Sequence, residues 1–388
     1  MLRIYTCTPV AFHANRGFFI RDTGLLCTTL RAMGAESRAV MPLPEHEDDE
    51  HGENARQLRV PYEQLESAAW WRAQQLDGVI LYSWAAPRYT PIARAIRTAG
   101  IRLVIHLDAT EDFSRVVPGG TAPLRRLLGG VKEWIQNRRR AQHLRCADAV
   151  TLSAAVAEKL AQKRVFKGIF PEKAVAMPCP VSPQMRYDGT PKQNRILCIG
   201  RWNDAWQKRP QMLIQTLETF YAAGGTAETA VYGTLTEELQ TWHAALPLAV
   251  QRKVHLIGYV DNDELRAAYR SARICLCSSR FESSHIVSAE AVCCGCSIVT
   301  PPRAGQLTVV QGYTARQSGR VAAADTPAAL AAALAAECAA WENGERNPAA
   351  IAAAWQPYLH ADQALQRLFP RLSEGKLEVG GWKLEVLS

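Results

Sequence analysis

Arg280-Phe281-Glu282-Ser283-Ser284-His285-Ile286-Val287-Ser288-Ala289-Glu290-Ala291 sets two carboxylates, Glu282 and Glu290, between a short apolar run and a stretch of small side chains. The run upstream, Ala272-Arg273-Ile274-Cys275-Leu276-Cys277-Ser278, is bounded by polar residues, the pattern of a strand covered on both faces. Downstream, Glu290-Ala291-Val292-Cys293-Cys294-Gly295-Cys296 ends in glycine and cysteine before a second apolar run, Ser297-Ile298-Val299-Thr300. The unit reads strand, loop, helix, strand. In such a unit the loop N–H groups and the helix N-terminus face outward at the carboxyl end of a parallel sheet, where they can hold a phosphate. Carboxylates beside a bound phosphate can accept hydrogen bonds from sugar hydroxyls. A plainer role also fits, with Glu282 a solvated loop residue and Glu290 a first-turn charge that complements the helix dipole.

A second constellation lies upstream. Asn194-Arg195-Ile196-Leu197-Cys198-Ile199-Gly200-Arg201-Trp202 is an apolar strand ending in glycine and arginine. Lys208-Arg209-Pro210 follows, and then the helical run Met212-Leu213-Ile214-Gln215-Thr216-Leu217. Arginine offers a fixed fork of donors and lysine a mobile point charge, so Arg201 and Lys208 at a strand's carboxyl end can neutralise a pyrophosphate. A solvated basic turn is the alternative.

Gly200-Arg201, then Lys208, then Glu282-x7-Glu290 resembles the retaining nucleotide-sugar glycosyltransferases of family four. The likeness runs over nearly the whole chain. Cys146-Ala147-Asp148-Ala149-Val150-Thr151-Leu152-Ser153 is similar to the family's alanine-aspartate strand, and Lys173 to Pro178 to the strand before its interdomain linker. Val254 to Val260 followed by Asp263-Glu264-Leu265 is similar to the strand and helix that precede the Glu motif, and Gly17 stands where the first loop glycine would be.

The resemblance implies an α/β protein of GT-B fold, two Rossmann-like parallel-sheet lobes facing across a cleft. The first lobe, residues 1–183, would bind the acceptor and the second, 184–345, the nucleotide sugar; helices in 346–372 would cross back to the first lobe ahead of a tail, 373–388. It also implies retention of anomeric configuration without a dedicated protein nucleophile. Arg201 and Lys208 would stabilise the leaving diphosphate, Glu282 would orient sugar hydroxyls, and Glu290 the ribose hydroxyls. Donor binding would further involve Gly17, Gly233, Tyr259, Ser284, His285, Ile286 and Val287. From the first lobe, His106 and Asp108 project to the same face of one strand. Either can stand for the family's strand-end histidine that faces the donor sugar, and a lone strand histidine equally suits core packing. The donor would be a UDP- or GDP-sugar, and no metal or other cofactor is required.

This chain departs from the family pattern at several points. Ser283, Ser284 and His285 stand where the family has glycines, which restricts the backbone there and predicts different sugar contacts. Phe18 replaces the second glycine of the N-terminal pair, Arg209-Pro210 follows the lysine, and Trp202 and Trp206 lie between the two cations.

The rest of the sequence narrows the context. At 388 residues, 48% of them hydrophobic and 21% charged, the chain suits a soluble protein of two ordinary domains. No apolar stretch approaches the roughly twenty residues that span a bilayer, and Met1 to Cys7 reads as a first strand rather than a leader, so a cytoplasmic location is expected. Eleven cysteines in short apolar contexts suggest reduced thiols acting as small hydrophobes. Cys293, Cys294 and Cys296 lack a second cluster to complete a zinc site.

Basic charge gathers in the first half: 26 Lys and Arg against 19 Asp and Glu in residues 1–190, but 19 against 18 in the remainder. Its densest part runs from Arg125-Arg126 through Lys132 to Arg138-Arg139-Arg140 and Arg145, with Leu124, Leu127, Leu128, Val131, Trp134 and Ile135 at helical spacing. Such a segment can rest on an anionic membrane surface beside a glycan or lipid-linked acceptor, can attract nucleic acid, or can pack on the sheet with its arginines in water. Gly129-Gly130 predicts an interruption in it.

Strands are expected at Leu2–Cys7, Ala39–Pro42, Gly78–Tyr82, Arg102–Leu107 and Ala149–Ser153, and again at Arg195–Ile199, Ala230–Tyr232, Val254–Ile257, Ile274–Cys277 and Ser297–Val299. Prolines 178, 180, 183 and 191 mark a hinge. The acidic stretch Glu45 to His51 reads as a solvated loop, Asp261-Asn262-Asp263 as a helix cap, and Pro327 to Trp341 as a structural helix. The repeat Lys376 to Val379 and Lys383 to Val386 reads as a hairpin or a disordered end. Three other functions also accommodate the motifs: a transferase acting on modified DNA, a GT-B-like nucleotide-sugar epimerase, and an inactive nucleotide-sugar-binding relative.

Overall fold

The computed structural model describes residues 1–83, 87–107, 123–152, 157, 160–177, 180–280, 282, 284–302 and 310–373. The described residues form two units, Met1–Ser182 with the segment 358–373, and Pro183–Pro357.

The first unit is built on a seven-stranded parallel sheet. Its strands are β1 (Ile4–Cys7), β2 (Ala39–Pro42), β3 (Gln57–Val60), β4 (Gly78–Tyr82), β5 (Arg102–His106), β6 (Ala149–Leu152) and β7 (Ala174–Ala176), in the order β3-β2-β1-β4-β5-β6-β7. Central strands such as Gly78-Val79-Ile80-Leu81-Tyr82 are buried along their whole length, as continuous apolar runs in parallel sheets require. The helix Ala361–Leu368 belongs to this unit. Its Ala361, Ala364, Leu365 and Leu368 pack with Ile4, Leu26, Leu30, Ile80 and Val104, and the Phe369 ring occupies the space that a Cβ on Gly78 would need.

The second unit holds a six-stranded parallel sheet of β8 (Gln193–Arg201), β9 (Glu228–Thr234), β10 (Val254–Gly258), β11 (Ala272–Leu276), β12 (Ser297–Thr300) and β13 (Gly319–Val321). Its order is β10-β9-β8-β11-β12-β13, so the winding reverses at β8, which pairs with β9 on one side and β11 on the other. In open parallel sheets the crevice at the carboxyl ends of the strands flanking such a reversal is where ligands bind. The helix Asn262–Ser271 begins as the sequence predicts, with the Asp261 carboxylate accepting from the Asp263 and Glu264 amides. The alanine-rich helix runs Pro327–Glu342.

Two strands escape the sequence reading, β3 and β13. Both lie at sheet edges, where polar and apolar residues alternate in Gln57-Leu58-Arg59-Val60 and Gly319-Arg320-Val321 is three residues long. Neither carries the apolar run that marks a central strand.

The acidic stretch Glu45 to His51 is not simply a solvated loop. Asp49 is buried, takes hydrogen bonds from the Ala14 and His46 amides, and pairs at 2.7 Å with the equally buried Arg59 of β3. Two amides and a guanidinium offset the desolvation of one carboxylate, a combination that the acidic composition of the segment concealed. Its neighbour Asp48 holds His13 and Asn15, and the His13 ring stacks on His46 with centroids 3.9 Å apart.

The basic segment is likewise unbroken. One helix runs Pro123–Leu144 through Gly129-Gly130. Buried Asn137, Arg140, Ala141, His143 and Leu144 anchor its C-terminal half, and His143 bonds Ser83 at 2.9 Å, so tertiary contacts override the weak helical propensity of the glycine pair. Val131, Trp134 and Ile135 point outward instead of packing on the sheet, with the Arg138 guanidinium 5.4 Å from the Trp134 ring. Among the described residues no helix is long and apolar enough to cross a membrane. The terminal repeat lies outside the described residues.

Candidate active site

The site in the second unit is assembled where the sheet order reverses. Arg201 ends β8, Cys277 follows β11, and the loop through Glu282 leads into the helix Ile286–Cys293. Gly200 and Gly233 are register partners on β8 and β9. Gly233 has φ +102, and a Cβ there would sit 2.0 Å from the Gly200 carbonyl oxygen, so the close approach of these strand ends requires glycine. Trp202 turns back under them, buried, with its indole N–H donating to the Tyr232 carbonyl at 2.9 Å. Arg201 is then left largely exposed at the sheet's rim, with Asp204 at 3.5 Å. Trp206 is exposed as well, and its ring lies 5.9 Å from the Arg280 guanidinium.

Lys208 and Glu282 meet at the centre. The Lys208 Nζ lies 2.5 Å from Glu282 Oε1, and the Gln207 amide donates to Oε2 at 3.1 Å. Both members of the ion pair are almost wholly buried. Burial alone would raise the Glu282 carboxyl, but the charges of His285 and Lys208 and the lysine's hydrogen bond outweigh it and hold the group below the usual carboxylate range. Arg209 is committed elsewhere. It lies in the left-handed region at φ 53, donates to the Ser278 carbonyl at 2.8 Å and pairs with Asp325, which fixes the end of β11.

His285, where the resemblance places a glycine, also lies in the left-handed region, at φ 49 and ψ 70. Its Nδ1 is 2.6 Å from Ser288 Oγ and its Nε2 is 3.8 Å from Glu282 Oε1. Burial lowers the imidazole, yet the charges of Cys277 and Glu282 and a hydrogen bond to Cys277 raise it above its ordinary value. The Cys277 thiol, raised by burial, is brought below its ordinary value by that same pairing with His285.

Ile286 and Val287 form the first helical turn and are half-buried, while the first intrahelical bonds run from the Ser288 and Ala289 amides to the His285 carbonyl. N-terminal amides of this kind have no intrahelical acceptor and can receive an anion. Ser284 is buried, with its carbonyl taking the Tyr313 hydroxyl at 3.1 Å. Glu290 is half-buried and accepts from the Tyr269 hydroxyl at 3.1 Å. Tyr259 stands exposed beyond β10, its hydroxyl 2.7 Å from that of Thr234 at the end of β9.

The structure thus brings Arg201, Lys208, Gly233, Tyr259, Glu282, Ser284, His285, Ile286, Val287 and Glu290 to one edge of one sheet. Sequence reasoning missed Gln207, Tyr269, Thr234 and the Cys277–His285–Ser288 contacts. Only the fold could place Cys277, at a strand end, against a histidine in the following loop.

In the first unit, Gly17 is exposed in the short helix Arg16–Phe19, whose N-terminus the Asn15 side chain caps. His106 is buried at the end of β5, bonded through Nδ1 to Thr151 Oγ1 at 2.6 Å and stacked on Tyr82. Asp108 lies outside the described residues. The cysteines behind the site are core groups: Cys293, Cys294 and Cys296 are buried, and Cys296 Sγ bonds the Tyr269 carbonyl at 3.0 Å.

Residues 193–338, which contain every element of the second-unit site, match the family model described as glycosyl transferases group 1. The fold is GT-B. Solved structures that resemble the chain include sucrose-phosphate synthase from Thermosynechococcus elongatus, at 15% identity, covering 97% of this chain and 100% of that one, with a TM-score of 0.61. The Anabaena protein HepE in complex with UDP shows 13% identity, 96% and 100% coverage and a TM-score of 0.61. The lipopolysaccharide outer core galactosyltransferase WaaB in its apo form gives 13% identity, 96% and 100% coverage and a TM-score of 0.62. No curated protein matches the chain by sequence. The GT-B likeness spans both units, whereas the family match is confined to the second.

Proposed function

We propose that this protein is a retaining glycosyltransferase that moves a hexose from a UDP- or GDP-sugar to an acceptor hydroxyl. The observation that carries the reading is the buried Lys208–Glu282 pair at the point where the second sheet reverses, inside the segment that matches glycosyl transferases group 1. HepE has been solved with UDP, with UDP and glucose, and with UDP-glucose, which favours a nucleotide-sugar donor for a chain of the same fold.

The residues divide the work as follows. Arg201 and Lys208 neutralise the diphosphate as its bond to the sugar breaks, and the first-turn amides of Ile286 and Val287 add fixed donors. Glu282 orients sugar hydroxyls and Glu290, steadied by Tyr269, the ribose hydroxyls. Gly233 keeps the strand ends close enough for the donor to approach the backbone, and Tyr259 with Thr234 borders the same edge. The diphosphate charge is met by protein cations, so turnover is expected without a divalent ion. Asp108 is the first unit's candidate for the donor sugar.

The acceptor falls to the first unit. Its exposed Val131, Trp134 and Ile135, flanked by Lys132, Arg138 and Arg139, suit the surface of an anionic bilayer better than water. That surface supports a glycan or lipid-linked acceptor at the inner face of the membrane, in surface polysaccharide or glycolipid assembly; WaaB, named for an outer core sugar transfer, has the same fold.

The test is a panel of UDP- and GDP-sugars read first by thermal shift and then by NMR of the product's anomeric configuration. A donor that raises the melting temperature and yields product with its own configuration supports the reading. Inversion would refute retention, and no stabilisation by any nucleotide or nucleotide sugar would refute the donor site.

A further inference from the structure

His285 occupies a backbone conformation that glycine adopts freely and that histidine enters only under strain, with φ 49 and ψ 70 at the start of the helix Ile286–Cys293. Local backbone preference therefore argues against this residue, and its side chain must supply what holds it there. That side chain is buried and contacted on several sides. Ser288 Oγ lies 2.6 Å from Nδ1 and Glu282 Oε1 lies 3.8 Å from Nε2. The charged groups that act on the imidazole are Cys277 from the end of β11, Glu282 from its own loop and Lys208 from the loop after β8.

Glu282 Oε1 thus lies between the Lys208 ammonium at 2.5 Å and the His285 imidazole at 3.8 Å, while Gln207 holds Oε2. The two side chains differ in what a donor would do to them. Lys208 carries three mobile N–H donors, and an incoming diphosphate competes for them. His285 is fixed by its backbone, by Ser288 and by Cys277, so it stays when Lys208 turns toward the phosphates. A buried carboxylate that loses its only partner tends to protonate or swing away. One that keeps a second partner remains ionised and aimed.

We propose that His285 is a positioning residue for the donor site: beside Cys277 and braced by Ser288, its imidazole keeps Glu282 oriented toward the sugar while Lys208 engages the diphosphate. This rests on the glycosyltransferase reading for the role of Glu282, whereas the Cys277–His285 pair stands apart from it.

Three variants of the full chain test it: His285→Gly, His285→Asn and Cys277→Ser. Hydrolysis of UDP-glucose, or of whichever UDP- or GDP-sugar the wild type turns over, is measured across pH with kcat and KM separated, beside thermal denaturation and ultraviolet titration of thiolate. Glycine relieves the left-handed strain, so a purely structural histidine predicts a variant at least as active and as stable as the wild type. The positioning role predicts kcat lowered by about tenfold or more in His285→Gly with a smaller change in donor KM, and partial rescue in His285→Asn, which tolerates the backbone and can still hydrogen-bond. Wild-type kcat and an unchanged pH profile in His285→Gly would overturn it.

The thiolate titration does not depend on the donor. Wild type is expected to show an absorbance step, absent in Cys277→Ser, below the ordinary thiol value of about 8.5, and His285→Gly to move that step upward. A step that ignores the substitution overturns the pair and the inference with it. If the wild type turns over no UDP- or GDP-sugar, the glycosyltransferase reading falls, and the His285 pairing is judged on the titration alone.

Discussion

Lys208 and Glu282, 74 residues apart in sequence, are joined by a 2.5 Å bond across the ends of two neighbouring strands. The bond ties the loop after β8 to the loop after β11 at the point where the sheet's winding reverses. With the charge of His285, it also holds the carboxyl below its ordinary range against burial, which acts to raise it. Lysine has donors left for a phosphate, and the carboxylate has lone pairs left for hydroxyls, so the structural tie still offers groups to a ligand.

Removing the lysine takes away the carboxylate's nearest cation. Lys208→Ala is expected to destabilise the fold by about 3 kcal/mol, measured as a shift in the urea unfolding midpoint, because a buried charge keeps only the more distant His285 and the Gln207 amide. Adding Glu282→Gln to the same chain should restore part of that loss. A Lys208→Ala effect below about 1 kcal/mol would mean that the pair is solvated in solution.

The same pair gives stability a pH signature. The folded-state value of Glu282 lies below its unfolded value of about 4.3, so its contribution is present above that pH and is lost as pH falls through the folded value. Denaturant unfolding of wild type and Glu282→Gln should show a stability gap that is full at neutral pH and closes on acidification from about pH 4 downward. A gap that widens on acidification would contradict the sign of the shift.

Two glycines in the left-handed region should respond differently to alanine. At Gly233, with φ +102 and the Gly200 carbonyl 2.0 Å from the added Cβ, strain and collision combine, and a loss of more than about 2 kcal/mol is expected together with loss of nucleotide binding. At Gly34, with φ +84 and nothing within 4 Å of a Cβ, only the strain remains, and a loss of about 1 kcal/mol is expected without effect on nucleotide binding. Equal losses in thermal denaturation would show that the β8–β9 contact relaxes freely.

The exposed face of the helix Pro123–Leu144 predicts surface behaviour. Co-sedimentation with vesicles containing phosphatidylglycerol should exceed that with phosphatidylcholine alone, weaken as salt is raised, and fall severalfold in Trp134→Ala. Binding indifferent to lipid charge and to Trp134 would remove the membrane from the account.

Much of this architecture was legible because parallel strands announce themselves. Among the described residues, ten of the thirteen strands overlap the expected runs, and a further one, β7, lies within the Lys173 to Pro178 segment. The two that escaped, β3 and β13, are edge strands held by one neighbour and need no such run. The carboxylates and cations of the site were legible for a related reason: charged residues at strand ends, beside glycines and a small-residue helix, have few structural uses. Partners drawn from elsewhere in the chain were not. Arg59 is an ordinary strand residue until the fold sets it on Asp49, and only the fold shows His106 bonded to Thr151 and stacked on Tyr82. His285 was visible as a departure from glycine, while the left-handed backbone that makes the departure informative was not.

The central claim is that the edge formed by Arg201, Lys208 and Glu282 transfers sugar from a nucleotide. Steady release of nucleoside diphosphate from UDP- and GDP-sugars, followed for the wild type and for Glu282→Ala and Arg201→Ala, measures it directly. The account predicts turnover with at least one donor and a loss of about a hundredfold or more in each variant. Full activity retained by both variants would contradict it.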